Sequence, residues 1–217
     1  MKNIAVILSG SGVYDGSEIH EAVLTLLAIE NNQASYRCFA PNITQHHVVN
    51  HLTGEVSEDE NRNVLVESAR IARGDIEDLN DLFEDEFDAV ILPGGFGAAK
   101  NLCSFAYEGE HSQINEVVLK ACQAFVKAHK PAGFMCIAPA LIPAIYGEGA
   151  VATIGKELGT AESLVDMGLS HVPCEVDDVV IDHQRKLVTT PAYMVAISIS
   201  EAALGINKLV KAVLRMT

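Results

Sequence analysis

The sequence predicts an α/β protein whose largely parallel sheet is covered by helices on both faces. Short apolar runs typical of buried strands alternate with amphipathic helical patterns along the chain, which is the order that gives a parallel sheet. The 217 residues, of which 49% are hydrophobic, are enough for one sizeable core. Because no repeat or linker interrupts the pattern, we expect one domain over residues 1–217.

The first half of the chain contains two clear strands, at residues 3–9 and 34–40. A glycine-containing turn joins the first strand to a helix that Ser17 is placed to cap. Residues 42–86 give a weaker signal, with a short helix predicted over 63–72. This segment is longer than a usual connection in such folds, and it is long enough to cover one side of a site.

The second half continues the alternation and adds a hairpin near its end. The predicted elements are strands at 88–92 and 131–135, helices at 113–129 and 138–146, hairpin strands at 175–181 and 187–190, and a last helix at 194–214.

Composition excludes several classes of function. The net charge of −14 disfavours binding to nucleic acid or to an anionic membrane surface. The apolar run at residues 4–8 is too short for a signal or membrane helix. Five cysteines without a CxxC pair favour neither a disulfide framework nor a structural zinc site. We therefore expect free thiols and a cytoplasmic location.

The most informative segment is the one around Cys136. The apolar strand at 131–135 stops at this cysteine, and a small-residue helical pattern begins at once. A sharp strand-to-helix turn lifts its corner side chain out of the sheet, and a helix N-terminus favours a thiolate. Spacing alone leaves two interpretations open, a nucleophile or a core cysteine at a strand end.

Two further loops follow parallel strands and are expected at the same edge of the sheet. Paired glycines at Gly94 and Gly95 would let backbone N–H groups approach a substrate oxygen, although a simple tight turn explains them equally. Glu18 and Glu21 lie in the first turn of the first helix. They either balance the helix dipole or exchange a proton with the Cys136 thiol.

Together the three loops resemble the PfpI and class I glutamine amidotransferase-like superfamily. More closely, the chain resembles the ElbB family, the bacterial "enhancing lycopene biosynthesis" proteins described as glyoxalases. The resemblance covers essentially the whole chain and rests on long motifs. They are GVYDGSEIHEAVLTLLAI, FAPN, NHLTGE, RNVLVESARIARGDI, LPGGFGAAKNL, KPAGFMCIAPA and TTPAYM.

This resemblance implies a flavodoxin-like three-layer fold with Cys136 as nucleophile on an elbow. It implies that Glu18 hydrogen-bonds the thiol and acts as proton shuttle, and that the N–H groups of Gly95 and Ile137, beside Gly94, hold the substrate oxygen. The implied reaction converts glyoxal, or a related small 2-oxoaldehyde, and water to glycolate without cofactor or metal. Relatives are commonly dimers, so a homodimer is expected.

The chain departs from its superfamily in its histidines. PfpI-like hydrolases place a histidine directly after the cysteine, where this chain has Ile137, and the late His-x-Glu pair of amidotransferases is missing. Because acyl transfer from an amide needs an imidazole base, glutamine hydrolysis becomes the less favoured alternative. A cysteine-based redox or stress sensor that influences isoprenoid output is the other alternative.

The other histidines suggest only weak roles. Clustering alone suggests a metal site at His46, His47 and His51, and we expect none. His20 is expected on the helix surface or at the border of a pocket. For His171, which precedes a predicted strand, a contact with a catalytic residue is only the less favoured of its possible roles.

Overall fold

The structure is a computed structural model that describes residues 1–217, and its centre is a seven-stranded sheet. In spatial order its strands are β3 (Ile76–Asp78), β2 (Ser35–Ala40), β1 (Asn3–Ile7), β4 (Ala89–Leu92), β5 (Ala132–Met135), β9 (Leu187–Thr190) and β8 (Val180–Asp182). A separate two-stranded sheet pairs β6 (Val151–Ala152) with β7 (Ser170–His171).

All neighbouring strands of the large sheet run parallel except β8, which pairs antiparallel with β9. The strands at its centre are fully buried apolar runs, as sheets covered on both faces require. Because β1, β4 and β5 are parallel neighbours, the loops that follow them meet at one edge.

Helices cover both faces of the sheet. Their bounds are α1 (Ile19–Asn31), α2 (Val64–Ile71), α3 (Phe105–Glu108), α4 (Glu116–Lys127), α5 (Ile142–Tyr146), α6 (Leu158–Asp166) and α7 (Ile199–Arg215). The core on the face of α1 and α7 contains 23 buried residues, and the core on the face of α4 and α5 contains 29. The predicted α/β architecture is confirmed.

Several predicted boundaries were wrong for identifiable reasons. The N-cap of α1 is Glu18, not Ser17, because the buried Ser17 hydroxyl accepts from the Ser9 N–H at 2.8 Å. The predicted helix at 138–146 begins as a 3₁₀ turn, Ala138–Leu141. Pro143 has no N–H to bond the preceding turn, so regular α-helix starts only near it.

The last helix begins at Ile199 rather than 194, capped by the Ser198 hydroxyl. The hairpin was predicted correctly, with a shorter first strand. Strands β3, β6 and β7 and helix α6 were not predicted, since they are short or lie in segments without clear periodicity. None of the helices is both long and apolar enough to cross a membrane.

Candidate active site

Cys136 occupies a strained corner directly after β5. Its φ of +57° lies in the left-handed region, which costs a residue other than glycine about 1–3 kcal/mol. The Cys136 N–H donates to the Thr190 carbonyl at 3.1 Å, which ties the corner to β9. The residue is 7% exposed. The backbone therefore holds this thiol at the carboxyl edge of the sheet, beside the loops after β1 and β4.

The carboxyl group that contacts this thiol is Glu21, one helical turn beyond the predicted Glu18. Glu21 is fully buried, and its carboxyl group lies close enough to the Cys136 thiol for each group to shift the pKa of the other. Its Oε2 accepts the Gly94 N–H at 2.9 Å, and its Oε1 accepts the Tyr193 N–H at 3.1 Å. Glu21 thus links α1, the loop after β4 and the segment after β9 around the sulfur atom.

Glu18 is held elsewhere by its capping role. Its Oε2 accepts the Glu21 N–H at 2.7 Å and so caps α1, and its side chain lines the pocket in front of Cys136. The predicted hydrogen bond between Glu18 and the thiol was therefore wrong. Because Ser17 does not cap α1, Glu18 takes the N-cap position. Glu21, three residues later, is the carboxyl group on the buried face of the helix.

Burial governs the ionisation of both members of the pair. Burial raises the pKa of Glu21 to about 7, with a further increase from the charge of Glu18, while the backbone N–H groups of Tyr193 and Gly94 act against it. Burial also raises the pKa of the Cys136 thiol well above its usual value, and the Glu21 charge raises it further. The expected lowering of the thiol pKa was wrong, because burial outweighs the helix N-terminus.

The two glycines after β4 have different roles. The Gly94 N–H donates to Glu21, so the predicted contact of Gly94 with a substrate oxygen has no free donor. A side chain at Gly94 would place its Cβ 2.5 Å from the Cβ of Cys136. Gly95 has a φ of +90°, and its N–H, like that of Ile137, is directed at the Cys136 sulfur. Their role toward a substrate stays a prediction.

A cleft of about 260 Å³ opens onto Cys136. Its walls are mainly apolar, and its polar side chains besides Cys136 are Glu18, Thr160 and Tyr193. At its rim, His20 Nδ1 lies 2.9 Å from the Tyr193 hydroxyl and 3.9 Å from Glu18 Oε1. His20 therefore borders the cleft, which is one of the two positions expected for it. Tyr193 was missed, although it lies in the TTPAYM motif.

The remaining histidines lie apart from this cleft. The ring of His46 stacks on Tyr107 at 4.3 Å and contacts His47, whereas His51 lies 3.8 Å from the buried Asp15. His171 Nε2 accepts the Ile154 N–H at 3.4 Å beside the small sheet. The structure contains no group of three or more His, Cys, Asp or Glu side chains arranged to hold a metal ion.

A mostly parallel, flavodoxin-like sheet with a strained cysteine and a buried carboxyl group at its edge defines the class as flavodoxin-like α/β proteins. Known proteins agree with that class. The human glutamine amidotransferase-like class 1 domain-containing protein 3, mitochondrial, is 44% identical over 223 residues, which cover 99% of this chain and 83% of that protein. The chain belongs to this glutamine amidotransferase-like class 1 family.

Solved structures agree with this assignment. An isoprenoid biosynthesis protein with an amidotransferase-like domain from Ehrlichia chaffeensis superposes with a TM-score of 0.93 and 37% identity, over 100% of this chain and 99% of that one. Drosophila melanogaster DJ-1beta superposes with a TM-score of 0.55 at 20% identity, over 99% and 95% of the two chains, which supports the fold alone. No protein-family model matches the chain.

Proposed function

We propose that this protein is a cofactor-independent glyoxalase, which converts glyoxal or a related small 2-oxoaldehyde and water to the 2-hydroxy acid. The observation behind the proposal is that the buried Glu21 carboxyl group lies beside Cys136, which lines the cleft, and that the pKa of Glu21 is raised to about 7. A carboxyl with that pKa has nearly the proton affinity of imidazole, so it can serve as a base at neutral pH.

The first step forms a carbon–sulfur bond. The Cys136 sulfur attacks one aldehyde carbon while the thiol proton passes to the Glu21 carboxylate. The carbonyl oxygen gains the electron pair of its π bond, and the N–H groups of Gly95 and Ile137 are placed beside the sulfur to stabilise it. Glu21 then gives the proton to this oxygen, which yields a hemithioacetal and restores the Glu21 carboxylate.

The second step moves hydrogen between the two carbons. Glu18, which lines the cleft, removes the proton from the carbon bonded to sulfur and gives an enediol. Glu18 returns this proton to the neighbouring carbon. The hydroxyl proton of the sulfur-bearing carbon passes to the neighbouring oxygen, and the product is the thioester of the hydroxy acid. Water then attacks the thioester carbonyl, the carbon–sulfur bond breaks, and glycolate leaves with the Cys136 thiol restored. No electrons leave the substrate, so no redox cofactor takes part in this scheme.

The pairing of Cys136 with Glu21 also favours aldehydes over amides as substrates. An aldehyde carbonyl reacts with a thiol without losing a group in the first step, whereas amide hydrolysis must protonate a departing amine. No lysine or arginine lines the cleft to pair with the carboxylate of glutamine. The deep burial of Cys136 and its raised pKa likewise give less support to an oxidation sensor, which works best as an accessible thiolate.

The closer assignment to the ElbB family is part of this proposal, and the isoprenoid biosynthesis neighbour supports it. The homodimer stays a prediction. A cytoplasmic location also stays a prediction, and it differs from the names of the human and rat relatives, which call those proteins mitochondrial.

Replacement of the nucleophile tests the scheme. We expect Cys136→Ala to abolish glycolate formation from glyoxal. Cys122→Ala is the control, since Cys122 lies on the buried face of α4, away from the cleft. Glycolate is measured by chromatography in a steady-state assay. Undiminished glycolate formation by Cys136→Ala would refute the scheme, and a single turnover by the unchanged protein would point to a sensor.

A further inference from the structure

We propose that a basic groove on the face of α1 and α7 is the docking site for an acidic, extended segment of a partner protein. The groove has a volume of about 970 Å³ and is lined by the second half of α7, the end of α1 and the edge strand β8 with the residue before it. It shares no residue with the cleft in front of Cys136. The proposal therefore does not depend on the proposed reaction.

The groove concentrates positive charge in an acidic protein. Lys208, Lys211 and Arg215 line it and no aspartate or glutamate does, although the chain has a net charge of −14. Lys208 pairs with Asp178 at 3.0 Å, whereas Lys211 and Arg215 form no ion pair. Because these two cations lie four residues apart on one exposed face of α7, they can contact neighbouring anionic groups of one ligand. The charge of the groove therefore favours an acidic ligand.

Apolar surface lies beside these cations. Leu204 is 56% exposed on the same face of α7, and Val179 and Ile181 contribute further apolar lining. A ligand that carries apolar side chains as well as carboxylates would remove this surface from water while it pairs the cations. That combination is typical of a polypeptide segment and is absent from an inorganic anion.

The unpaired edge of β8 also favours a polypeptide. β8 is the last strand of the sheet, so no strand pairs with its outer side. The carbonyl groups of Lys186 and Thr190, at the two ends of β9, accept hydrogen bonds from β5 and the residue after it. The alternate residues Leu187 and Thr189 therefore bond to β8. Ile181 lies between their partners, so its N–H and carbonyl group point to the outer edge, where an added strand can bond them.

The length of the groove matches a short strand. From Leu204 to Arg215 helix α7 rises about 16 Å, which is the length of about five extended residues. Alternate side chains of a strand point to the same face, so those that face α7 are the ones expected to be acidic. The ammonium group of Lys208, at Asp178, places positive charge near the start of β8. The expected partner segment has a carboxylate at every second position.

Binding of a model peptide tests the proposal. The probe is a fluorescein-labelled hexapeptide in which glutamate and valine alternate, and its binding to the whole protein is followed by fluorescence anisotropy. We expect the double variant Lys211→Glu/Arg215→Glu to bind the probe at least tenfold more weakly than the unmodified protein. The control Lys120→Glu/Lys127→Glu changes the net charge equally on exposed positions of α4, and its affinity is expected to stay within about twofold. No binding to the unmodified protein, or an equal loss in both double variants, would overturn the proposal.

Backbone methylation separates strand pairing from charge. Two further hexapeptides carry the same carboxylates but are methylated on the backbone nitrogen of every valine or of every glutamate. Alternate N–H groups of a strand point to opposite edges, so we expect one methylated peptide to bind at least tenfold more weakly and the other to bind nearly as well as the probe. Equal affinity of all three peptides would mean that the groove recognises charge alone, which contradicts the docking of an extended segment.

Hydrogen exchange locates the bound peptide. We expect a saturating amount of the probe to slow exchange of the Ile181 amide at least tenfold, measured by NMR, because that N–H becomes bonded to the added strand. An unchanged exchange rate of Ile181 in the saturated complex would show that the peptide does not pair with β8 and would overturn the assignment.

Discussion

At the scale of residues, the site depends on which carboxyl group of the first turn of α1 reaches the thiol. The sequence predicts that Cys136 and both candidate carboxyl groups lie at one edge of the sheet, because each of them follows a parallel strand. It could not choose correctly between Glu18 and Glu21. That choice depends on the residue that caps the helix, and Ser17 is withdrawn from capping by a buried contact with Ser9.

The two carboxyl groups are expected to act in different steps. Glu18→Gln keeps an oxygen for the cap of α1 and loses the charge, so we expect kcat to fall by roughly 10²–10⁴ while the rate of Cys136 alkylation by iodoacetamide stays within about twofold of the unchanged protein. Steady-state kinetics and timed mass spectrometry give the two readouts. A Glu18→Gln protein with undiminished kcat would remove this residue from the reaction.

At the scale of elements, the loop after β4 brings the carboxyl and the thiol together only because residue 94 has no side chain. A Cβ at Gly94 would lie 2.7 Å from Glu21 Oε2 and 3.0 Å from the Cys136 sulfur. The paired glycines were visible in the sequence as a loop near the site. The different roles of Gly94 and Gly95 were not visible, because they depend on which of the two N–H groups faces the Glu21 carboxyl group of α1.

We therefore expect Gly94→Ala to separate the pair and to lower kcat/KM at least a hundredfold. The same change is expected to lower the free energy of unfolding by about 1–3 kcal/mol, since it crowds a packed site. Enzyme kinetics and urea unfolding measure the two effects. An active Gly94→Ala protein, with the alkylation rate of Cys136 unchanged, contradicts the packing described for this loop.

At the scale of the whole molecule, the alternation of strands and helices was sufficient to predict an α/β protein with a largely parallel sheet, since each long element has a strong period of its own. The short elements β3, β6 and β7 pair through contacts distant in sequence, and their two or three residues carry no such period. The packing that buries both faces of the sheet also buries Glu21. The ionisation of this one carboxyl group is therefore expected to affect both the free energy of unfolding and the reaction.

The burial of Glu21 makes the stability of the whole protein depend on pH. Its pKa is raised from the ordinary value of 4.5 to about 7. The folded state therefore holds this proton more tightly than the unfolded state, and the resulting stability is complete below pH 4.5 and is lost as the pH rises to about 7. The full change is about 3 kcal/mol, of which about 2 kcal/mol falls between pH 5.5 and 8.5.

Urea unfolding of the unchanged protein and of Glu21→Gln at these two pH values measures this contribution. The other ionisable groups cancel in the comparison, so we expect the free energy of unfolding to fall between the two pH values by about 2 kcal/mol more in the unchanged protein than in the variant. Parallel pH dependence in the two proteins would mean that Glu21 is not the group with the raised pKa.

In the proposed reaction the buried Glu21 carboxylate takes the proton of the Cys136 thiol during attack on the aldehyde, so the pH profile of kcat/KM must follow the ionisation of Glu21. For the unchanged protein we predict a rise through a single ionisation near pH 7. For Glu21→Gln we predict a value lower by at least about a hundredfold and without that ionisation. A Glu21→Gln protein that keeps both the wild-type rate and the ionisation near pH 7 would show that Glu21 is not the base.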